Sequence, residues 1–498
     1  MMITIKDIFN NEIIKNIIFE FLNFDDIYNF KMTCKEFYYL SYIPRNLVIL
    51  RYGHINLHKI LHENKLKRIT IKNSSFLCSI FINSIIKQLR VINSKTFSYL
   101  ENNKKKIINL KIDLDNLIYL DLGSNKIQEI IPSIFDLKNL KYLDLSFNKI
   151  KIVPKSISNL KNLKSLNLCC NIISEILLDS IGNLINLEYL DLSYNEITIV
   201  PDYICNLINL KYLNLSHNGI TIVPYSIGNL TNLEYLNLCN NKIETLPNFI
   251  GNLKYLKYLD LYFNEIIIVF DSIGNLTNLE YLHLSYNRIE TLPNSIGNLS
   301  NLKYLNLRNN KIETLPNSIC NLKYLNYLNL SYNEIKTLPY SIGKLEYLNY
   351  LSLGKNKIKT LPESISDLKN LTNLELYENE IIKLPDSIGD LKNLINLSLS
   401  DNDIETLPNS FGNLKNLEYL YLSNNEITIL PNSFGNLKSL KHLDLFKNSF
   451  KTVPESIKKL HNLEILKLLN NYIITIPNWI EGLENLKYKR ENILSIPK

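Results

Sequence analysis

The sequence predicts an α/β solenoid, with short parallel strands stacked on one side and helical or 3₁₀ turns on the other; three observations carry that reading. An asparagine recurs every 23 residues from Asn125 to Asn471, with a single 24-residue step between Asn171 and Asn195. Around each asparagine stands one frame, L-x-x-L-x-L-x-x-N-x-I-x-x-L-P-x-S-I-G-N-L-x-N, as in Leu302 to Asn310 followed by Ile312, Leu315, Pro316 and Ile319. Self-similarity at a fixed period of this length is the signature of a repeat array, in which each coil buries its apolar face only against its neighbours.

Each position of the frame has a physical task. In Leu302-Lys-Tyr-Leu305-Asn-Leu307 the alternation turns the leucines inward and Tyr304 and Asn306 outward, which makes a short strand. Successive strands should lie in parallel roughly 4.8 Å apart. The asparagine stands where the strand turns away, so its amide should serve backbone groups left unpaired there and form a ladder from coil to coil. Pro316 and its equivalents fix the return segment and block a full helix. Two coils depart from the frame. The one after Asn171 carries an extra residue and Ile176-Leu-Leu-Asp179 in place of the proline; another has Phe270 at the proline position. Both are expected to bulge the back of the stack without breaking the strands. Leu486 to Pro497 reads as a shortened seventeenth unit whose charged strand residues suit a polar cap.

This unit resembles the leucine-rich repeat, and its L-P-x-S-I-G-N-L stretch is similar to that of Ras-group intracellular repeat proteins. The resemblance implies a curved parallel sheet on a concave side, short helical or 3₁₀ turns on the convex side, and partner binding on the concave face. Sixteen regular units and the capping unit assign residues 117–498 to the solenoid. Residues 51–116 read as an irregular connector with strand-like pieces at 66–71, 89–92 and 108–112.

The outward strand positions form columns. One is nearly all tyrosine, including Tyr189, Tyr212, Tyr235, Tyr258, Tyr281, Tyr304, Tyr327 and Tyr350. The next is acid or amide for most of its length, as at Asp260, Asn306 and Asn329, before changing to Ser352 and Glu375. Tyrosine offers contact area with a polar tip, which favours it at interfaces. It also shields a sheet when stacked on itself. A specific site should show as a break in the pattern, and one lies between Tyr350 and Tyr419, where Asn373, Glu375, Tyr377, Glu378 and Asp401 make an acidic patch. A third column alternates in sign from Glu188 through Lys211, Glu234, Lys257 and Glu280 to Lys303, which predicts a salt-bridge ladder that keeps the coils in order.

Residues 1–50 follow another period. Ile13, Ile17 and Phe21 recur four apart on one helical face, Asp25 can cap a second helix bearing Ile27, and Thr33-Cys-Lys-Glu36 opens a third bearing Phe37 and Leu40. This small all-α unit resembles an F-box, on Glu12-Ile-Ile-Lys-Asn-Ile17-Ile-Phe-Glu-Phe21-Leu22, Asp25-Asp-Ile27 and Cys34-Lys-Glu-Phe37, with Asn46 to Leu50 as its tail. The chain departs from that family in having Asn10-Asn11 where Leu-Pro usually stands. The resemblance implies docking onto the small adaptor subunit of a cullin–RING ubiquitin ligase through Ile13, Ile17, Phe21, Leu22, Ile27 and Phe37, with the repeats presenting a target. The alternative reading makes these helices a solenoid cap on a non-enzymatic scaffold with no ubiquitin role.

Charge and composition exclude other classes. The chain carries +7 overall, with +8 on residues 1–116 and −1 on the remainder, so no basic nucleic-acid groove is expected along the repeats. Charged residues interrupt the start before a secretory core forms, and no apolar stretch is long enough to span a membrane. Alanine is absent, as an AT-rich coding sequence would produce. The seven cysteines lack metal-ligand spacing and the clusters that cap extracellular repeats, which points to a reducing cytoplasm (the host's, if the source is viral). No catalytic set, phosphate-binding glycine loop, metal site or cofactor is expected, and the repeats leave no room for a catalytic domain. The sequence thus predicts a protein-holding module, not an enzyme.

Overall fold

The computed structural model describes residues 117–130, 132–174 and 180–487, together with the backbone of three strands at 48–51, 68–72 and 88–92. The helices expected within residues 1–47, the strand piece at 108–112, the irregular coil at 175–179 and residues 488–498 of the capping unit lie outside the described residues. The chain divides into two compact units, residues 1–197 and 198–498.

In the first unit seven described strands run in sequence order: β1 Val48–Arg51, β2 Arg68–Lys72, β3 Gln88–Ile92, β4 Tyr119–Asp121, β5 Tyr142–Asp144, β6 Ser165–Asn167 and β7 Tyr189–Asp191. Each pairs in parallel with the next, and β3 joins β4 directly, Leu89 opposite Leu120. Two of the three strand pieces predicted in the connector are therefore strands of this sheet. Val48 to Leu50, grouped by sequence with the helical start, also belong to it as part of β1.

The second unit holds twelve strands among the described residues, from β8 Tyr212–Asn214 to β19 Ile465–Lys467. The register never slips: Tyr258 stands opposite Tyr281, and Tyr281 opposite Tyr304. Slippage by one residue would turn the leucines outward, and Leu302, Leu305, Leu307, Ile312 and Ile319 are all fully buried.

Behind each strand of this second unit lies a five-residue 3₁₀ turn such as Asn294–Asn298, entered through Pro293 at φ −70°, ψ 153°. Ile296 N donates to the Pro293 carbonyl at 3.1 Å. The glycine of S-I-G-N marks where coils approach most closely, since a Cβ on Gly412 would stand 2.1 Å from the Ser433 carbonyl oxygen. Phe270 does not bulge the stack as expected. Its backbone adopts φ −75°, ψ 158°, indistinguishable from the prolines, and the turn Asp271–Asn275 forms as usual. Coil-to-coil packing imposes the conformation that proline elsewhere supplies locally.

The predicted asparagine ladder is present. Asn333 Oδ1 accepts from Ile312 N at 3.0 Å, while its Nδ2 donates to Leu307 O at 2.9 Å and Leu330 O at 3.0 Å. The residue before each ladder asparagine is left-handed without being glycine, for example Phe263 (φ 54°), Tyr332 (φ 58°) and Lys355 (φ 56°). Such a conformation is held because its N–H is committed to the next coil: Tyr332 N donates to Gly354 O at 2.8 Å. Replacing exposed Lys447 (φ 52°) by glycine should accordingly raise stability by about 0.5–1 kcal/mol in urea denaturation. Unchanged or lower stability would show that this backbone is unstrained.

Candidate binding face

The outward columns differ in depth. Tyr212, Tyr235, Tyr258, Tyr281, Tyr304, Tyr327 and Tyr350 form one continuous stack, with neighbouring ring centroids 4.2–4.5 Å apart and planes within 10°. These rings are half-buried, their faces spent on one another. Burial pushes the phenols of Tyr258, Tyr281, Tyr304 and Tyr350 above the ordinary tyrosine range. Tyr189 belongs to the first unit, where its hydroxyl lies 3.4 Å from Asp191 Oδ2.

The acid and amide column, read from sequence as solvent-facing, is instead half-buried or buried along most of this unit: Asp260 and Asn306 are 8% exposed and Asn329 5%. These side chains fold back onto their own strand ends. Asn329 Oδ1 accepts from Ser331 N at 2.9 Å and from the Ser331 hydroxyl at 2.7 Å, while its Nδ2 donates to the Tyr327 hydroxyl at 3.3 Å. Asp260 accepts from Tyr262 N in the same way. The column therefore caps backbone that the strands leave open.

The charged column is not one unbroken ladder, because Lys257 and Glu280, although in adjacent coils, each pair on their other side. Lys257 meets Glu234 and Lys303 meets Glu280, each at 2.7 Å, and in the first unit Lys164 meets Glu188 at 2.6 Å. Each lysine in these pairs takes the glutamate of one neighbouring coil. Later in the stack Asn326, Asn349, Thr372 and Ile395 replace the charges, and there a trough of about 680 Å³ opens along the strand edge.

The residues of the expected acidic patch stand in adjacent coils, and each carboxylate is engaged with a residue outside the patch. Glu375 accepts from the Ser352 hydroxyl at 2.8 Å, Glu378 pairs with Lys355 at 3.2 Å, and Asp401 accepts from Asn424. Tyr377 lies so close over Gly354 that a Cβ there would stand 2.3 Å from its ring. Earlier coils present two residues that the sequence reading passed over, Tyr262 and Arg308, in the column that also holds Tyr377. The position after the third leucine is usually small (Ser285, Ser331, Gly354), but Tyr262, Arg308, Tyr377, Phe446 and Leu469 interrupt it. Tyr262 packs on Phe263, His283 and Tyr286, with centroids 5.8, 5.1 and 5.5 Å away. The Arg308 guanidinium lies 4.4 Å and Lys355 Nζ 4.7 Å from the centre of the Tyr332 ring. Listing this column coil by coil would have exposed the breaks.

Among the described residues no cluster of side chains could hold a metal ion, and no helix is long and apolar enough to cross a membrane. Cys169, Cys170, Cys205, Cys239 and Cys320 are free thiols. Burial pushes Cys169 up to about 12 and Cys205 to about 11, so neither supplies a thiolate near neutrality.

Parallel three-residue strands, an asparagine ladder and an open sheet face together define a class of repeat solenoid that offers a broad surface in place of an enclosed site. The chain belongs to the leucine-rich-repeat family. The model described as "Leucine-rich repeat region" matches residues 165–267, 268–326, 317–379 and 373–449, and further leucine-rich-repeat models match 115–168 and 439–460. Among solved structures, a leucine-rich-repeat protein of Leptospira interrogans is 38% identical, with a TM-score of 0.69, over 78% of this chain and 98% of that one. The Arabidopsis receptor kinase HAESA, in complex with the peptide hormone IDA and the co-receptor SERK1, is 31% identical over 75% of this chain and 70% of that one, with a TM-score of 0.58. An internalin of Listeria monocytogenes is 30% identical over 59% and 83%, with a TM-score of 0.52. No curated protein sequence matches the chain significantly.

Proposed function

We propose that this protein holds another protein on the sheet face of its repeats and delivers it to a cullin–RING ubiquitin ligase through residues 1–50. The observation that carries the holding role is a cluster of departures from the repeat on the sheet face, where large aromatic and charged side chains replace small ones at Tyr262, Arg308 and Tyr377. Support for a protein target comes from the similar receptor kinase, which is in complex with a peptide hormone and a co-receptor. Delivery rests on the F-box resemblance of residues 12–50 alone. In this reading the protein performs no chemistry itself, binds neither nucleic acid nor membrane, and works in the cytoplasm.

The ligase role is tested by co-purification. The small adaptor subunit should accompany the full chain and be lost on Phe21→Asp with Leu22→Asp, changes confined to the apolar docking surface. Retention of the adaptor by that variant, or its absence from the intact chain, overturns delivery. The scaffold reading, favoured by Asn10-Asn11 in place of Leu-Pro, would then stand.

A further inference from the structure

Arg308 has an unusual position. It stands in a column of small residues, in the second unit, half-buried, with its guanidinium against the Tyr332 ring. Its Nε is buried and makes no hydrogen bond, and no carboxylate pairs with it among the described residues. Other cations on this face have partners: Lys355 meets Glu378, and Lys467 meets Asp444 at 3.0 Å. A guanidinium offers five donors in a planar fork suited to a carboxylate. Here Nε is buried without a partner, the Tyr332 ring lies against the guanidinium, and the half-exposed side chain leaves the fork open to an arriving anion. On one side of Arg308 lie Tyr286 and the 53%-exposed Phe263; on the other lie Tyr332 and Tyr377.

We propose that this strip binds an extended peptide segment of the protein partner, with an aspartate or glutamate carboxylate on Arg308 and apolar side chains against Phe263 and Tyr286. The inference rests on the protein-holding reading and specifies what is held. From Tyr262 to Tyr377 the strip crosses six coils, a width of about 24 Å, which an extended segment of roughly seven residues would span. Charge complementarity favours an acidic peptide over a phosphate polymer. One unpaired cation satisfies one carboxylate, whereas a nucleic acid needs a run of them, and residues 117–498 carry a net −1.

The test uses the intact chain and a displayed library of random heptapeptides. Selected sequences should carry a central acid flanked by apolar residues. Synthetic copies should bind Arg308→Ala roughly tenfold to hundredfold more weakly by fluorescence polarisation, with Arg308→Lys in between. Arg308→Glu should select peptides with lysine or arginine at the centre, a gain that misfolding cannot produce. Enriched peptides indifferent to Arg308 would overturn the inference while leaving the protein-holding reading intact. Failure of any heptapeptide to enrich overturns it as well, and adaptor capture decides the delivery role separately.

Discussion

Asn333→Ala should lower the stability of the second unit by about 3–5 kcal/mol, one of the largest effects open to a polar side chain in this molecule. The amide serves four backbone groups in two coils; truncation leaves Ile312 N and the Leu307 and Leu330 carbonyls buried without it, while the Ser331 carbonyl keeps Asn309 N. Each such orphan costs about 1–3 kcal/mol, partly relieved where water enters. Asn333→Asp should be no better at neutral pH, because a carboxylate turned toward those carbonyl oxygens has nothing to donate. Its native pKa would be raised, so its deficit should shrink as pH falls through that value and the carboxyl regains a proton to donate. Urea titration followed by far-UV circular dichroism, with Trp479 fluorescence reporting the C-terminal coils, measures both. An alanine variant within about 1 kcal/mol of the parent would mean that the ladder is ornamental.

Tyr281→Ala should cost about 2–3 kcal/mol, because the ring lies in the middle of a stack. It contacts Tyr258 at 4.3 Å and Tyr304 at 4.3 Å, nearly parallel to both, and its removal opens a gap over the sheet. Tyr281→Phe keeps the stack and loses the contacts of one hydroxyl, the 3.4 Å one with His283 Nδ1 and those with the phenols of Tyr258 and Tyr304, so its cost should stay at about 1 kcal/mol. The comparison separates two roles. A tyrosine held in reserve for a partner would be nearly neutral to stability when truncated, and that result would return the stack to the list of recognition residues.

These two expectations show how differently the parts of the chain could be read in advance. The asparagine ladder was legible because its cause is local. A strand that turns away leaves the same backbone groups open in every coil, and one short amide at a 23-residue spacing can reach them. The inward leucines and the proline-led return were legible for the same reason, since alternation and a fixed φ act within a few residues. Phe270 marks the boundary of that logic, because neighbouring coils impose there what the local sequence does not.

The outward columns were harder, because a residue that points away from the leucines can still be covered by its neighbours. Sequence places Asp260 and Asn329 on the solvent side of the strand, yet both turn back to strand-end N–H groups beneath the tyrosines. The alternating charges predicted a continuous ladder, but a lysine reaching one glutamate at 2.7 Å does not also bond the next, so pairs formed. Arg308 looked unremarkable as a letter, because an arginine among small outward residues reads as an ordinary solvated charge until its neighbours are placed.

By itself, then, the sequence determined the repeat, its strands, its ladder and its core, since periodic residues meet identical surroundings at every coil. Only the tertiary structure decided which outward residues are exposed and which charges remain unpaired. Those properties depend on what the adjacent coils place beside each side chain, at separations of 23 residues that no local pattern encodes.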